Sequence, residues 1–496
     1  MKQKPTIGLK TFLVWGLGSL VLVIVIGSVY EKMTRPPHVD DMLRMYKVFK
    51  EGRAPILEKE ARTLMAELIP IVERVAGREF RYTPKIRSVS RKGLAAVLVR
   101  DSVLRIQHDM QKGTRDGTKA LSHELAEFLA IFYLGLYSPE DDTLYLALGN
   151  TSSIFNRSEI DYRHVRSIIR LLIAHELTHA LQDQELDLAK RLRDARGNEK
   201  RDARRAAIEG HALFVEEQVG RQLGIDDAVI KYARPVTSGR SGFKDPTFQL
   251  VSKKSSLWYE LIYLRGKRFI EYHYAGGGNE RIWDVLSRPP SDTQMIAKPE
   301  MYSTTGVTQV DCEKILDGLH AYFPKGPFKV HAHDVSKVSL HEFFADLVPQ
   351  KREAIVSTVE CAQVRLMERA ESPGEVTISL FILADSEGAA AFASATEEIV
   401  KKRMKRLHRS SMFEVERSLI EDFSPIQTGV ARQTTLVFFP SEEKDSADKE
   451  VYSTKSVGVR LGNVYLEIID SHFGASDSQI VDIANEVFER LRREDA

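Results

Sequence analysis

Cysteine, tryptophan and net charge are all scarce in this chain. Its 496 residues include two cysteines and three tryptophans, and 71 lysines and arginines face 70 aspartates and glutamates, a formal net charge of +1. Two thiols cannot build a disulfide framework or a cysteine-rich metal site, so the fold must rest on an ordinary packed core. Cys312 and Cys361 could pair once, or stand as two separate buried thiols. A charge balance this even argues against a dedicated nucleic-acid binder, which needs a concentrated basic surface. No internal repeat or long low-complexity tract is present. Hydrophobic residues at 43% and charged residues at 28% exclude wholesale disorder, and the length suggests about two to three domains.

Long apolar runs are scarce as well, with one exception at the amino terminus. From Phe12 to Tyr30 the chain reads FLVWGLGSLVLVIVIGSVY without a charge. At about 1.5 Å per residue a helix of that length matches a hydrocarbon core of about 30 Å. Lys2, Lys4 and Lys10 precede it, which favours a cytoplasmic N-terminus with the body after residue 37 translocated. A cleaved signal peptide and a buried core helix are the rival readings. The expectation is a single-pass anchor through residues 12–30, a cell-membrane location, and an extracytoplasmic (periplasmic or extracellular) body.

Beyond the anchor, Met42 to Val75 carries apolar residues at helical spacing and stops at Gly77. Glu79 to Val99 is richer in β-formers, Gly117 to Leu134 returns to helical spacing, and Leu144 to Leu148 reads as a short strand. Asp161 is placed to cap a long helix through His175 and His179. Lys190 to Arg205 is a charge run without an aromatic residue and reads as a solvated helical connection leading into a helix from Asp202 to Leu223. Strands at Glu375–Ala384, Gln433–Phe439, Ser453–Leu461 and Val464–Asp470, with helices at Ser386–Met404 and Ser476–Leu491, predict a C-terminal α+β domain with an antiparallel sheet. Gly462-Asn463 is its predicted hairpin turn.

The informative segment is His175-Glu176-Leu177-Thr178-His179, an H-E-x-x-H pattern within a helical apolar context. Residues i and i+4 share a helix face, so both imidazoles can reach one cation. Glu176 adjoins the first ligand and can approach a metal-bound water as general base. A zinc site of this kind needs a third protein ligand, with water in the fourth place. Glu209, flanked by Ala206, Ala207, Ile208 and Gly210, is the best candidate; His211 competes, but would point away from Glu209 around the helix.

HELTHALQDQ (His175 to Gln184), followed by Ile208-Glu209-Gly210-His211-Ala212, resembles gluzincin zinc metallopeptidases. It is especially similar to bacterial proteins whose active-site helix reads H-E-x-x-H-A-L-Q-D-Q. Gly135 to Pro139, running into Thr143 to Leu146, resembles that family's G-F-Y-D-P strand. Pro289 to Ile296 and Pro299 to Tyr302 resemble its P-P-x-S-T-E-Q-x-x-H-P-x-x-Y segment. Gln294 stands where the family has Glu, and Lys298 where it has His.

The resemblance covers roughly residues 80 to 305 and implies a zincin-like catalytic domain there; with the residue patterns the expectation is an α+β fold: an N-terminal transmembrane helix (residues 1–37 with the tail), a mostly helical zincin-like catalytic domain with a short β segment (38–305), and the C-terminal α+β domain (306–496). It implies one Zn²⁺ per chain on His175, His179 and Glu209, with Glu176 taking the water's proton in peptide-bond hydrolysis. Asp183, one turn beyond His179, is a candidate to orient an imidazole. His211, Lys298 and Tyr302 are candidates to support the transition state, and the Leu144–Leu148 strand is placed to pair with an extended substrate. The implied partners are a peptide or protein substrate, the membrane, and a protein partner for the C-terminal domain. The alternative is a catalytically degenerate zincin-like protein acting as a membrane-anchored binding or scaffold protein, which Gln294 and Lys298 motivate. Four further signals read as structural: His123 without an i+4 histidine, His331 and His333 on a strand face, Gly276-Gly277-Gly278 as a helix stop, and the basic run Lys401 to Arg409.

Overall fold

Apolar residues three and four apart bury one face of the first helix, Glu58–Ala76 (α1), at Ala61, Leu64, Met65, Leu68, Val72 and Ala76; Gly77, at φ 68°, closes it in the left-handed region. The structure is a computed structural model. It describes residues 54–494 except 55, 110–125, 128–129, 131–132, 151–161, 189, 191–196, 234–255, 304–311, 313, 324–327, 370–374, 409–412, 427–428, 441–451 and 472–473.

After α1 come Lys85–Ser88 (β1), Arg91–Asp109 (α2), Gly135–Ser138 (β2) and Thr143–Leu146 (β3). These strands form a three-stranded sheet in the order β1-β3-β2, with β1 parallel and β2 antiparallel to β3. Two long helices follow, Val165–Leu186 (α3) and Asn198–Gln222 (α4), then Asp227–Ala233 (α5). A π-helical turn, Glu260–Leu264, leads into Arg265–Ser287 (α6), and Thr293–Ala297 (α7) closes this half. The helices share one apolar core with the small sheet, including Leu144, Leu146, Ile169, Ile173, Leu177, Ala207, Phe214 and Phe269. Where α4 crosses α6, Gly210 meets Gly266 backbone to backbone, a closeness that only side-chain-free residues permit.

The C-terminal half is built on a seven-stranded sheet, all of whose neighbouring pairs are antiparallel. Its elements are Phe328–Asp334 (β4), Lys337–Phe343 (α8), Pro349–Ser357 (α9), Val359–Arg369 (β5), Glu375–Leu383 (β6), Ser386–Leu407 (α10), Phe413–Asp422 (β7), Val430–Pro440 (β8), Tyr452–Leu461 (β9), Val464–Ser471 (β10) and Asp477–Glu494 (α11). The spatial order is β4-β5-β6-β10-β9-β8-β7. Helix α11 shares a core with Val376, Ile378, Leu380, Leu466 and Ile468 on one face. Helix α10 packs Phe392 against Phe381 and Tyr465 on the other. Strands β6 and β10 are accordingly buried along their whole length, as expected where both faces are covered. The β9–β10 hairpin turns at Gly462, φ 57°, with Leu461 opposite Val464. Cys312 and Cys361 are joined as a disulfide.

The β4–α8 corner holds the N-terminus of α4. Asp334 accepts the backbone N–H of Asn198 (2.6 Å) and Glu199 (2.9 Å), supplying acceptors for amides that have none within the helix. The Glu199 carboxylate, buried, accepts in turn from the backbone N–H groups of Thr293 (2.7 Å) and Lys337 (2.6 Å). From Asn198 on, the charge run is therefore an anchored helix start rather than a solvated connection; residues 191–196 lie outside the described residues.

The membrane expectation is corrected. Among the described residues no helix is long and apolar enough to cross a membrane; even the apolar α3 carries Arg166, Arg170 and Glu176. Residues 12–30 lie outside the described residues. The architecture is α+β with a sheet-rich C-terminal part, and the transmembrane helix, the cell-membrane location and the extracytoplasmic body are withdrawn. Smaller differences have local causes. Only Lys85–Ser88 of the β-rich stretch pairs as strand, and Arg91–Asp109 is helical because it packs Leu94, Ala95 and Val97 beside Tyr145 and Ala147. Gly277 and Gly278 break α6 without ending it. The basic run ending α10 is only partly solvated, since Arg403 is buried and donates to the Phe343 carbonyl at 2.6 Å. Asp161 and His123 lie outside the described residues.

Candidate metal centre

Helix α3 carries His175 and His179 on one face, and α4 crosses it so that Glu209 arrives opposite them. The two Nε2 atoms lie 3.1 Å apart. Glu209 Oε2 is 3.5 Å from His175 Nε2 and 3.3 Å from His179 Nε2. All three groups offer a ligand atom within 4.8 Å of one another.

What holds the rings decides their chemistry. His175 Nδ1 is 3.0 Å from Glu216 Oε2, and His179 Nδ1 is 2.9 Å from Gln182 Oε1. The Gln182 amide is fixed by its own Nε2, which donates to the Ile208 carbonyl at 3.0 Å. Both Nδ1 atoms thus face acceptors and carry hydrogens, which leaves each neutral ring with a lone pair on Nε2. Two lone pairs and a carboxylate oxygen then converge with no donor among them, and Glu209 Oε2 is buried without a hydrogen bond. Such an arrangement is repulsive unless a cation or proton sits in it. Without a metal the balance falls to protons. Burial opposes charging His175, but Glu209 and Glu216 outweigh it and hold the ring well above its ordinary pKa. Burial likewise pushes Glu209 up, and the two imidazoles overcome it, leaving the carboxyl well below the usual range.

Glu176 lies beside this cluster rather than in it. It is 6% exposed and accepts the backbone N–H of Tyr137, on β2, through Oε2 at 2.6 Å. Burial pushes its carboxyl up. The second oxygen is left for a water or a substrate group. Strand β3 cannot take an extended substrate, because β1 and β2 occupy both its edges; β2 is the strand beside the centre.

The other anticipated residues are placed elsewhere. Asp183 accepts from the Tyr137 hydroxyl (2.9 Å) and the Leu188 N–H (2.8 Å), while the Nδ1 atoms of His175 and His179 face Glu216 and Gln182. His211 is fully buried, 3.0 Å from Gln182 Nε2 and edge-on to Trp283; burial pushes it down to about 3, so it is neutral. Lys298 is exposed at the end of α7. Tyr302 donates to the Arg288 carbonyl at 2.6 Å. Gln294 reaches the Ser357 carbonyl at 3.4 Å.

Three residues near the centre were missed. Glu216 and Gln182 each had a signal: Glu216 lies two turns after Glu209 in an apolar run, and Gln182 one turn after His179, so each shares a face with a ligand. Tyr263 had none. It stacks near His175, centroids 6.3 Å apart, because the π turn re-aims it, and such turns recur at functional sites. Burial, with Glu209 adding to it, holds its phenol well above its ordinary pKa, so it stays a donor.

No family model matches the chain, and no curated protein matches it. A solved structure from Chloroflexus aurantiacus, described as a "putative hydrolase with a novel fold", aligns over 54% of this chain and 96% of its own, with 17% sequence identity and a TM-score of 0.38. At that TM-score the likeness carries no argument about the chemistry of this chain.

Proposed function

We propose that this chain is a zinc-dependent peptidase of gluzincin type, with one zinc held by His175, His179 and Glu209. The observation that carries the reading is the convergence of three acceptor atoms with both Nδ1–H groups already engaged, a donor set that suits Zn²⁺. When bound, the metal supplies Lewis-acid polarisation of a carbonyl and acidifies a water. Glu176 takes the proton of the attacking water on its unengaged oxygen and delivers it to the leaving amine nitrogen. The Tyr137 N–H keeps Glu176 aimed. Tyr263 presents its phenol hydrogen beside the centre, where it can receive the carbonyl oxygen as negative charge develops. Of the two departures from the family pattern, Gln294 reaches the Ser357 carbonyl and Lys298 is exposed at the end of α7.

The test is zinc content and turnover of the purified chain on a mixed peptide library. We expect about one zinc per chain, lost in His179→Ala, and cleavage that chelation abolishes and zinc restores. Absence of zinc after metal-replete purification would overturn the reading. Bound zinc without cleavage of any peptide would leave a binding protein.

A further inference from the structure

At the start of α4, Arg205 is a cation whose use the fold does not explain. Arg201 donates to Asn198 and Arg204 is engaged as well, but Arg205 is not. Among the described residues Arg205 forms no hydrogen bond or ion pair; its contact is with the ring of Trp258, 5.8 Å from the centroid. A cation–π contact uses none of the five guanidinium N–H donors. The residue is nevertheless half-buried; its charge acts on the Asp202 carboxyl, but no hydrogen bond or ion pair joins the two, so the guanidinium donors stay without an acceptor in a partly dry setting, which is costly.

Its position gives that cost a purpose. Arg205 precedes Glu209 by four residues and so lies one turn away on the same face of α4. The π turn brings Trp258, Tyr259 and Tyr263 together: Tyr259 stacks on Tyr263 at 4.8 Å, and Trp258 meets Tyr263 edge-on at 5.7 Å. Tyr263 in turn stacks near His175. A continuous wall therefore runs from the histidines over Tyr263 and Trp258 to the guanidinium.

We infer that Arg205 reads a carboxylate on the substrate, and that the centre acts on peptides carrying an anionic group next to an apolar or aromatic side chain that rests on Trp258 and Tyr263. This rests on the peptidase reading and adds its substrate class. The carboxylate can be a C-terminal one or that of an aspartate or glutamate side chain; the guanidinium fork fits both.

The test is calorimetric binding of three peptides to the full chain carrying Glu176→Gln, which prevents turnover. Acetyl-Phe-Ala with a free carboxylate probes the terminal group, acetyl-Phe-Asp-amide probes the side chain, and acetyl-Phe-Ala-amide carries neither. We expect at least one acidic peptide to bind about tenfold or more tightly than the neutral one, and Arg205→Met to erase the difference with zinc content and Tm unchanged. Which acidic peptide gains identifies the source of the carboxylate. Equal binding of all three in the parent overturns the inference, as does selectivity that survives Arg205→Met, which would place the carboxylate on the metal instead. If Arg205→Met does not fold, Arg205→Gln takes its place, and the parent comparison decides against the inference by itself. Failure of the peptidase reading shows separately, as an absence of zinc in the same sample.

Discussion

Glycine at 210 is expected to invert the usual effect of placing alanine in a helix. On propensity alone Gly210→Ala in the interior of α4 would gain about 1 kcal/mol. A Cβ there, however, would lie 2.1 Å from the carbonyl carbon of Gly266, 2.4 Å from its oxygen and 2.6 Å from the Lys267 nitrogen. Carbon contacts settle at about 3.5 Å or more, so α4 and α6 must separate by more than about 1 Å. The obstruction is backbone, which cannot rotate aside as a side chain would. Overpacking of this kind costs about 1–3 kcal/mol, occasionally more. With the upper end of that range set against the propensity gain, Gly210→Ala should destabilise the chain by about 2 kcal/mol. It should also weaken zinc binding, because Glu209 is the adjacent residue. Gly276→Ala, just before the break in α6, is the control: its Cβ meets nothing within 4 Å, so it should show no such loss. Urea unfolding followed by tryptophan fluorescence reads both, since Trp258 and Trp283 lie in this half. A Gly210→Ala chain as stable as the parent would refute the account of the crossing.

Glu176→Gln should abolish peptide hydrolysis and leave zinc stoichiometry intact; loss of the metal along with activity would contradict the role of proton carrier. Glu216→Ala removes the acceptor 3.0 Å from His175 Nδ1 and should weaken zinc about ten- to a hundred-fold, read by competition with a chelator dye; an unchanged affinity would show that the ring needs no orientation. Glu467, in the C-terminal sheet, is pushed up to about 7 by burial from an ordinary value of 4.5, against a hydrogen bond from Ser456. Between those values the folded chain holds a proton that the unfolded chain releases, so this carboxyl lowers stability as pH rises and its full penalty is reached above pH 7. Glu467→Gln should therefore stabilise by up to about 3 kcal/mol at pH 8 and by little near pH 4.5. A difference that does not vary with pH would sink that explanation.

The parts of this molecule legible in the sequence are those that local periodicity specifies. The β9–β10 hairpin, β6 and α11 appear within a few residues of their expected limits because alternation, a glycine turn and helical spacing each act over short range. His175, Glu176 and His179 were legible for the same reason: one helix face fixes them. The rest depended on contacts between elements. Arg91 to Val99, the end of the β-rich stretch, is helical because its residues pack against Tyr145 and Ala147, and tertiary contact overrides so weak a propensity. Asp183 was a reasonable guess for an imidazole's partner, but the crossing of α3 with α4 brought Glu216 to His175, and the Gln182 amide reached His179 first. Tyr263 owes its place to a π turn, which no residue pattern announces.

The unequal partners of the two histidines follow from the charge that a buried centre can hold. Glu209 and Glu216 bring two negative charges, which match one divalent cation. A second carboxylate in place of Gln182 would leave the site with an uncompensated charge out of water, at a cost of several kcal/mol. An amide there orients His179 without adding charge, and it can also donate to the Ile208 carbonyl, which a carboxylate cannot. With those charges balanced, Glu176 is the neighbouring group whose ionisation still changes the total. Accepting a proton restores neutrality in its buried setting. On the proposed reading, Glu176 takes the water's proton beside a cluster that is already neutral and passes it to the leaving nitrogen as the bond to carbon breaks.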